Sequence, residues 1–335
     1  MVGASAVTPR GVDWRGIVGA LSAAKGSLLE VPQAALDSDP APPRLYAMAS
    51  PAARFAVLAM KLALDDAGWS TDREQIGLFL GVGASGGSMT ELNNMLSESM
   101  EGGHFSLARF GKQGLAACNP LFAFQLMNNF TLCHGAILAG LGGPNGAFFS
   151  RGAGTFEALG AAIDSIETGE CDRALAGGAD SGRHPVTLAE LQRERVLDPQ
   201  SGASEGAALI ALIAENEQPS VFVNAWAVAP DANDEELLGE CMTEAQRDAI
   251  DFIVLAPWGG GARATLERWA CTVAPHARIL DISLTLGDSL AASPAMAWTV
   301  ALDALASEGA HRALVLGAGN DGAIGVALFS RRVAS

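Results

Sequence analysis

The chain has 335 residues, 49% of them hydrophobic and 17% charged, with 39 glycines and a formal net charge of −16. That length and composition suit one large domain or two fused ones around a substantial core, with little disorder. The negative charge argues against nucleic acid and anionic membrane as partners.

No apolar run is expected to reach the roughly 18–20 residues that a membrane span needs. The start, Met1-Val2-Gly3-Ala4-Ser5, lacks the positive charge and apolar stretch of a signal peptide. The five cysteines (Cys118, Cys133, Cys171, Cys241 and Cys271) are odd in number and far apart, with no CxxC pair. A disulfide framework or zinc site is therefore not expected, and a reducing cytoplasm is the default setting.

In chain order, Val2 to Pro9 reads as a strand and turn, and Trp14 to Ala24 as an amphipathic helix. The segment Leu29 to Arg44, with Pro32, Pro40, Pro42 and Pro43, reads as an irregular surface loop. Ser50-Pro51 supplies an N-cap and a first-turn proline for a helix that stops near Gly68. Ile76 to Val82 is continuously apolar, the pattern of a strand buried on both faces.

A glycine-rich turn and a helix over Met89 to Met100 follow. The next helix starts at Asn119-Pro120, is apolar nearly all round and ends by Gly140, which places it in a core or an interface. His184 to Ser201 reads as a polar loop. Strands are expected at Ala207–Ala214, Val221–Ala229, Phe252–Ala256, Arg278–Ile282, Leu314–Leu316 and Ala323–Phe329. Helices are expected at Ala262–Cys271 and Leu290–Ser307, and the acidic segment Asp231 to Gln246 as a solvated helix and loop.

Several motifs invite a chemical reading. Gly81-Val82-Gly83-Ala84-Ser85-Gly86 fits GxGxxG, but the acidic ribose ligand expected after the next strand is missing. Gly83-Ala84-Ser85-Gly86-Gly87 fits the GxSxG elbow of serine hydrolases, with only His276 and His311 as late histidines. A glycine turn that lets helix and strand approach closely accounts for both. The five histidines show no metal-ligand spacing, and His134 falls on an apolar helix. Cys171 reads as a surface-turn residue whose acidic neighbours would raise its pKa.

The central stretch runs from Gly142-Gly143-Pro144 through an apolar strand to Ser150-Arg151-Gly152-Ala153-Gly154, then into a helix over Phe156 to Thr168. A strand-to-helix turn of this kind is where a nucleophile would meet the positive end of a helix. This turn offers no thiol. The chain also repeats itself: Asp164 to Asp180 parallels Asp303 to Gly317, each with a helix, a glycine, an arginine opening a strand and a glycine-rich turn. Two related halves, 1–215 and 216–335, are expected.

Taken together, these residues resemble the thiolase-fold condensing enzymes, closest to the β-ketoacyl-acyl-carrier-protein synthases. The likeness runs from Val7-Thr8-Pro9-Arg10-Gly11 and Ile76 to Gly81, through Gly202-Ala203-Ser204-Glu205-Gly206-Ala207 (similar to a GEGA turn), to the hairpin Gly317 to Phe329. The resemblance implies an α/β fold with a five-layered α/β/α/β/α body. The chain is shorter than a usual member after Leu29, in His184 to Leu197 and before Phe252.

Counting along the motifs, the nucleophilic cysteine position falls on Gly152, the two histidine positions on Pro257 and Asp288, and the supporting lysine near Ser283. The position of a gatekeeping phenylalanine falls near Asn320. Ser150 is out of phase with the nucleophile position. On this reading the chain has no catalytic set and uses no cofactor or metal.

The implied role is a chain-length-factor-type subunit, paired as a heterodimer with an active β-ketoacyl synthase in polyketide, aryl-polyene or specialised fatty-acid biosynthesis. Acyl carrier protein would be met only indirectly. Phe122, Phe124, Met127, Phe130, Phe148 and Phe149, with Asn320, are the candidates to line a tunnel or interface, although ordinary core packing would explain them equally well. The alternatives are an enzyme of this fold with a non-standard nucleophile, a serine hydrolase built on Ser85, and a homodimeric acyl-binding protein.

Overall fold

Two five-stranded sheets organise the chain. The computed structural model describes residues 1–23, 26–37, 49–84, 86–214, 219–230, 249–260 and 263–332. The acidic segment Asp231 to Gln246, the proline-rich segment from residue 38 onward, and Ser85 lie outside these residues. So does the point where the two halves were expected to divide.

The strands are β1 (Gly3–Val7), β2 (Ile76–Val82), a small hairpin β3 (Met100–Glu101) and β4 (His104–Phe105), β5 (Asn145–Phe148), β6 (Arg173–Ser181), β7 (Glu205–Ile213), β8 (Val221–Ala229), β9 (Phe252–Trp258), β10 (Arg278–Asp281), β11 (Arg312–Gly319) and β12 (Ile324–Arg331). The first sheet has the order β1-β7-β6-β2-β5 and the second β10-β9-β11-β12-β8. Read from β8, the second order matches the first strand for strand, and the parallel and antiparallel pairings match as well. The internal repeat thus appears as repeated topology, with Arg173 and Arg312 opening equivalent strands.

Between the sheets lie two helices, α8 (Arg151–Glu167) and α12 (Ser293–Ser307). They build the central core with Phe156, Leu159, Trp258, Met296 and Trp298. The outer face of the first sheet is covered by α3 (Pro51–Asp66), whose Phe55, Met60 and Leu64 meet Ile76, Leu78 and Leu80. The outer face of the second is covered by α10 (Arg263–Val273), through Leu266 and Trp269. The result is the five-layered α/β/α/β/α body.

Local chemistry explains several element ends. Ser50 Oγ accepts from Ala53 N at 3.2 Å, and Pro51 follows at the first helical position, as expected of the cap on α3. Every residue of β2 is buried, which a strand apolar on both faces requires.

Some expectations are corrected. The helix expected from Asn119 to Gly140 is two helices, α6 (Phe122–Leu126) and α7 (Phe130–Ala139), because Met127 adopts an extended conformation. The polar loop after His184 contains the helix α9 (Pro185–Glu194), with His184 as N-cap and Pro185 at N1. The strand expected to end at Ala256 runs on through Pro257 and Trp258. Pro257 is tolerated there because β10 pairs with β9 only as far as Leu255, so that side needs no N–H donor. Cys171 is buried rather than on the surface, and burial raises its thiol pKa.

The segment Leu290–Ser307 is long and apolar enough to cross a membrane, contrary to expectation, but 89% of it is buried between the sheets. Its apolarity serves the central layer.

The helix α8 approaches the second sheet closely. A Cβ on Gly160 would lie 2.0 Å from the Trp226 ring. Gly160→Ala is therefore expected to cost about 1–3 kcal/mol in denaturant unfolding by overpacking, and combining it with Trp226→Leu should recover at least half of the loss. Equal destabilisation in both backgrounds would show that this contact is not the cause.

Candidate functional site

The first turn of α8 occupies the place where a nucleophile was sought. The chain enters from the edge strand β5 through Ser150, which makes no side-chain capping bond. Arg151 has φ +43°, a left-handed conformation that costs a non-glycine residue about 1–2 kcal/mol. Gly152, buried, comes next.

The space above Gly152 is filled. A Cβ built there would sit 2.3 Å from Cδ2 and 2.4 Å from Cε3 of Trp258, closer than real Cβ contacts come. The fully buried indole of Trp258 also lies against Gly317 and Gly319, whose added Cβ atoms would approach it to 2.7 and 2.1 Å. Phe156 packs beside it at a centroid distance of 6.5 Å, with Trp298 edge-on to Phe156 at 5.8 Å. The Trp258 Nε1 has no hydrogen-bond partner. Leaving it unpaired costs about 1–3 kcal/mol, whereas burying an aromatic side chain of this size returns about 4–6 kcal/mol, so the indole stays.

A polar group surrounds this plug. Asp288 accepts from Gly259 N at 2.6 Å and from Leu290 N at 3.0 Å. Asp180, at the end of β6, accepts from Ser181 N at 2.7 Å and Ala291 N at 3.2 Å. Burial pushes the Asp180 carboxyl up to about 7, with the Asp288 charge adding to the shift. It pushes Asp288 up to about 6, against the pull of its backbone donors and of Arg151. The Arg151 guanidinium donates to Asn320 Oδ1 at 3.1 Å and to Glu194 Oε2 at 3.0 Å, tying α8 to α9 and to the turn after β11.

Gly152, Pro257 (through its neighbour Trp258), Asp288 and Asn320 are thus brought together. Ser283 is not part of this group. Its Oγ donates to Asp281 at 2.6 Å and accepts from Arg263 at 2.9 Å, in a separate cluster that also holds Asp198 and Gln200. The assembled group has carboxylates engaged with backbone N–H groups and a cation held by Glu194 and Asn320. Gly152 contributes no side chain to it, and the Trp258 indole fills the space where one would stand.

A family model described as "Beta-ketoacyl synthase, N-terminal domain" matches residues 15–208, more than half of the chain. The chain belongs to the β-ketoacyl synthase family. Solved structures carry the same fold over its whole length. A β-ketoacyl synthase from Burkholderia phymatum superimposes with a TM-score of 0.79 at 16% identity, covering 99% of each chain. The ishigamide ketosynthase/chain length factor does so with 0.75 at 20% identity, again covering 99% of each chain. The ketosynthase complex AntDE:AntF, a type II polyketide synthase assembly, gives 0.75 at 16%, covering 99% of this chain and 98% of the other.

Within this ketosynthase frame the interface candidates separate. Phe122 is buried beneath Gly87. Phe124 and Phe130 stack at 4.7 Å, with Phe124 partly exposed. Met127 is exposed at the break between α6 and α7, Phe148 rests half-buried on the central core, and Phe149 is 62% exposed.

Sequence reading missed Trp258, Arg151, Asp180 and Glu194. The available signal for Trp258 was a bulky aromatic set between Pro257 and the run Gly259-Gly260-Gly261. For the hydrolase reading, Ser85 lies outside the described residues. His184 has both ring nitrogens engaged, Nε2 with Gly87 O at 2.9 Å and Nδ1 with Val186 N at 3.4 Å. His276 and His311 are exposed at helix-to-strand links.

Two measurements check this description. Gly152→Cys is expected to lower stability by about 1–3 kcal/mol in denaturant unfolding, because the added side chain meets the indole. A thiol that reacted freely without loss of stability would contradict the filled niche. Asp180→Asn tests the buried carboxyl. A folded pKa raised to about 7 means that this group's contribution is full below the unfolded value, near 4, and is lost as pH rises toward 7. The Tm of the Asn variant relative to the parent should therefore climb between pH 5 and pH 8. A flat or falling difference would mean that Arg151 holds the carboxylate as a favoured anion.

Proposed function

We propose that this chain is a non-catalytic, chain-length-factor-type ketosynthase subunit that pairs with an active β-ketoacyl synthase in polyketide or specialised fatty-acid biosynthesis. The observation that carries this reading is the Trp258 indole packed on Gly152, which leaves neither a nucleophile nor space for one. The replacement of the two histidine positions by Pro257 and Asp288 supports it, since a buried carboxylate disfavours a developing oxyanion.

A surface suited to pairing supports it too. β5 ends the first sheet, with its outer edge unpaired among the described residues. Most of the large exposed hydrophobic side chains lie between Met89 and Phe149, among them Leu107, Leu121, Met127, Ile137 and Phe149. Apolar exposure on that scale marks a covered face. In the proposed complex this face closes the partner's tunnel, and Phe124, Met127, Phe130 and Phe149 help to set its length. The charge of −16 leaves docking of an acidic carrier protein to the catalytic partner.

Native mass spectrometry of the chain co-expressed with the ketosynthase encoded beside it tests the proposal. A one-to-one complex is expected, and Ile137→Glu combined with Phe149→Glu should weaken it at least about tenfold through buried unpaired charge, without loss of fold. A stable homodimer indifferent to that ketosynthase would overturn the reading.

A further inference from the structure

The Trp258 indole fits its surroundings as a ligand fits a site. Three glycines, Gly152, Gly317 and Gly319, present bare backbone to it, and Phe156 forms the remaining wall. Its Nε1 is fully buried and unpartnered, and it faces the turn after β11. The Cβ position of Gly319 lies 2.1 Å from that nitrogen and 2.3 Å from Asp321 Oδ1, so the N–H and the carboxylate of an exposed residue approach the same point without bonding. A tethered indole cannot slide to complete that bond. A free one could.

We infer that Trp258 is the specificity-determining residue of this niche, acting as a built-in occupant, and that without its ring the niche receives flat bicyclic aromatic molecules bearing an N–H donor. Three sides are set by glycine backbone on α8 and β11, and the Phe156 ring on the fourth is itself held by Trp298 and by close packing against Gly325. Apolar cavities of this kind persist when a large side chain is removed and accept ligands of matching shape. The inference does not depend on whether the chain pairs with a ketosynthase, because the niche lies in the central core of a single subunit.

The test uses the full chain carrying Trp258→Ala, which keeps the Cβ that the backbone already accommodates, with indole as the probe. Tm is expected to fall by about 5–10 °C on loss of the ring. Millimolar indole should restore at least half of that loss while leaving the parent chain unchanged. 1-Methylindole, which lacks the donor, should restore less. In the double variant Trp258→Ala, Gly152→Val the response to indole should vanish, because the valine side chain occupies the niche.

A folded Trp258→Ala chain that ignores indole would overturn the inference, and so would a parent chain stabilised equally. If the variant folds poorly alone, the readout is recovery of soluble, folded protein when it is refolded with indole. No recovery would count against the inference. Loss of partner binding in the separate pairing experiment would leave these outcomes untouched.

Discussion

The close approach of α8 to both sheets governs this structure. Gly152, Phe156 and Gly160 recur every four residues and so share one face of the helix. That face meets Trp258, then Gly317 and Gly325 around the Phe156 ring, then Trp226, so that small residues on one side receive large ones from the other. Gly154 and Thr155 turn toward the first sheet, where Gly81 and Gly178 leave room for the threonine. A helix carrying ordinary side chains at those positions could not lie between the two sheets at this distance. The exchange of glycine for aromatic ring sets the spacing of the layers and, with it, what fills the space above Gly152.

Two features meet at the first turn of α8. Gly152 brings no side chain, and the Trp258 indole fills the space above it. The surrounding charges are arranged for retention. Arg151 is held on two sides, and the buried carboxyls of Asp180 and Asp288 spend their lone pairs on backbone donors of the loops that flank the plug. The Arg151 contacts, and the bonds to Asp180 from Ala291 N and to Asp288 from Gly259 N, join segments distant in sequence, so the network fastens α8, α9 and the loops around the plug to one another.

Much of this was legible in the residues. The uniformly apolar Ile76 to Val82, the Ser50-Pro51 cap and the paired arginine-led strands announced the sheets and their repetition, because each depends on local patterning. What escaped depended on distance. Nothing near Trp258 in sequence says that its ring will face Gly152, more than a hundred residues earlier. Nothing near Arg151 names Glu194 or Asn320 as its partners. The break at Met127 was hidden because a run apolar on all sides gives no period to lose. The helix after His184 was overlooked because its polar residues outweighed the proline and leucines that mark it. Positions counted along motifs landed in one place for Gly152, Pro257, Asp288 and Asn320, while Ser283 answered to Arg263 instead.

The repeated topology also gives each sheet an equivalent outer strand, and the two have diverged. Both are four residues long, but the first residue of β10, Arg278, stacks over Phe252 and bonds to Glu308 and Ser22, so that a bulky, committed cation stands at its start. β5 carries only asparagine, glycine, alanine and phenylalanine, with nothing charged to turn an approaching strand away. Charged residues on an edge discourage strand addition, and their absence permits it. A single architectural plan, written twice in one chain, thus presents a charged edge on one sheet and an uncharged edge on the other, and only the first carries this guard against strand addition.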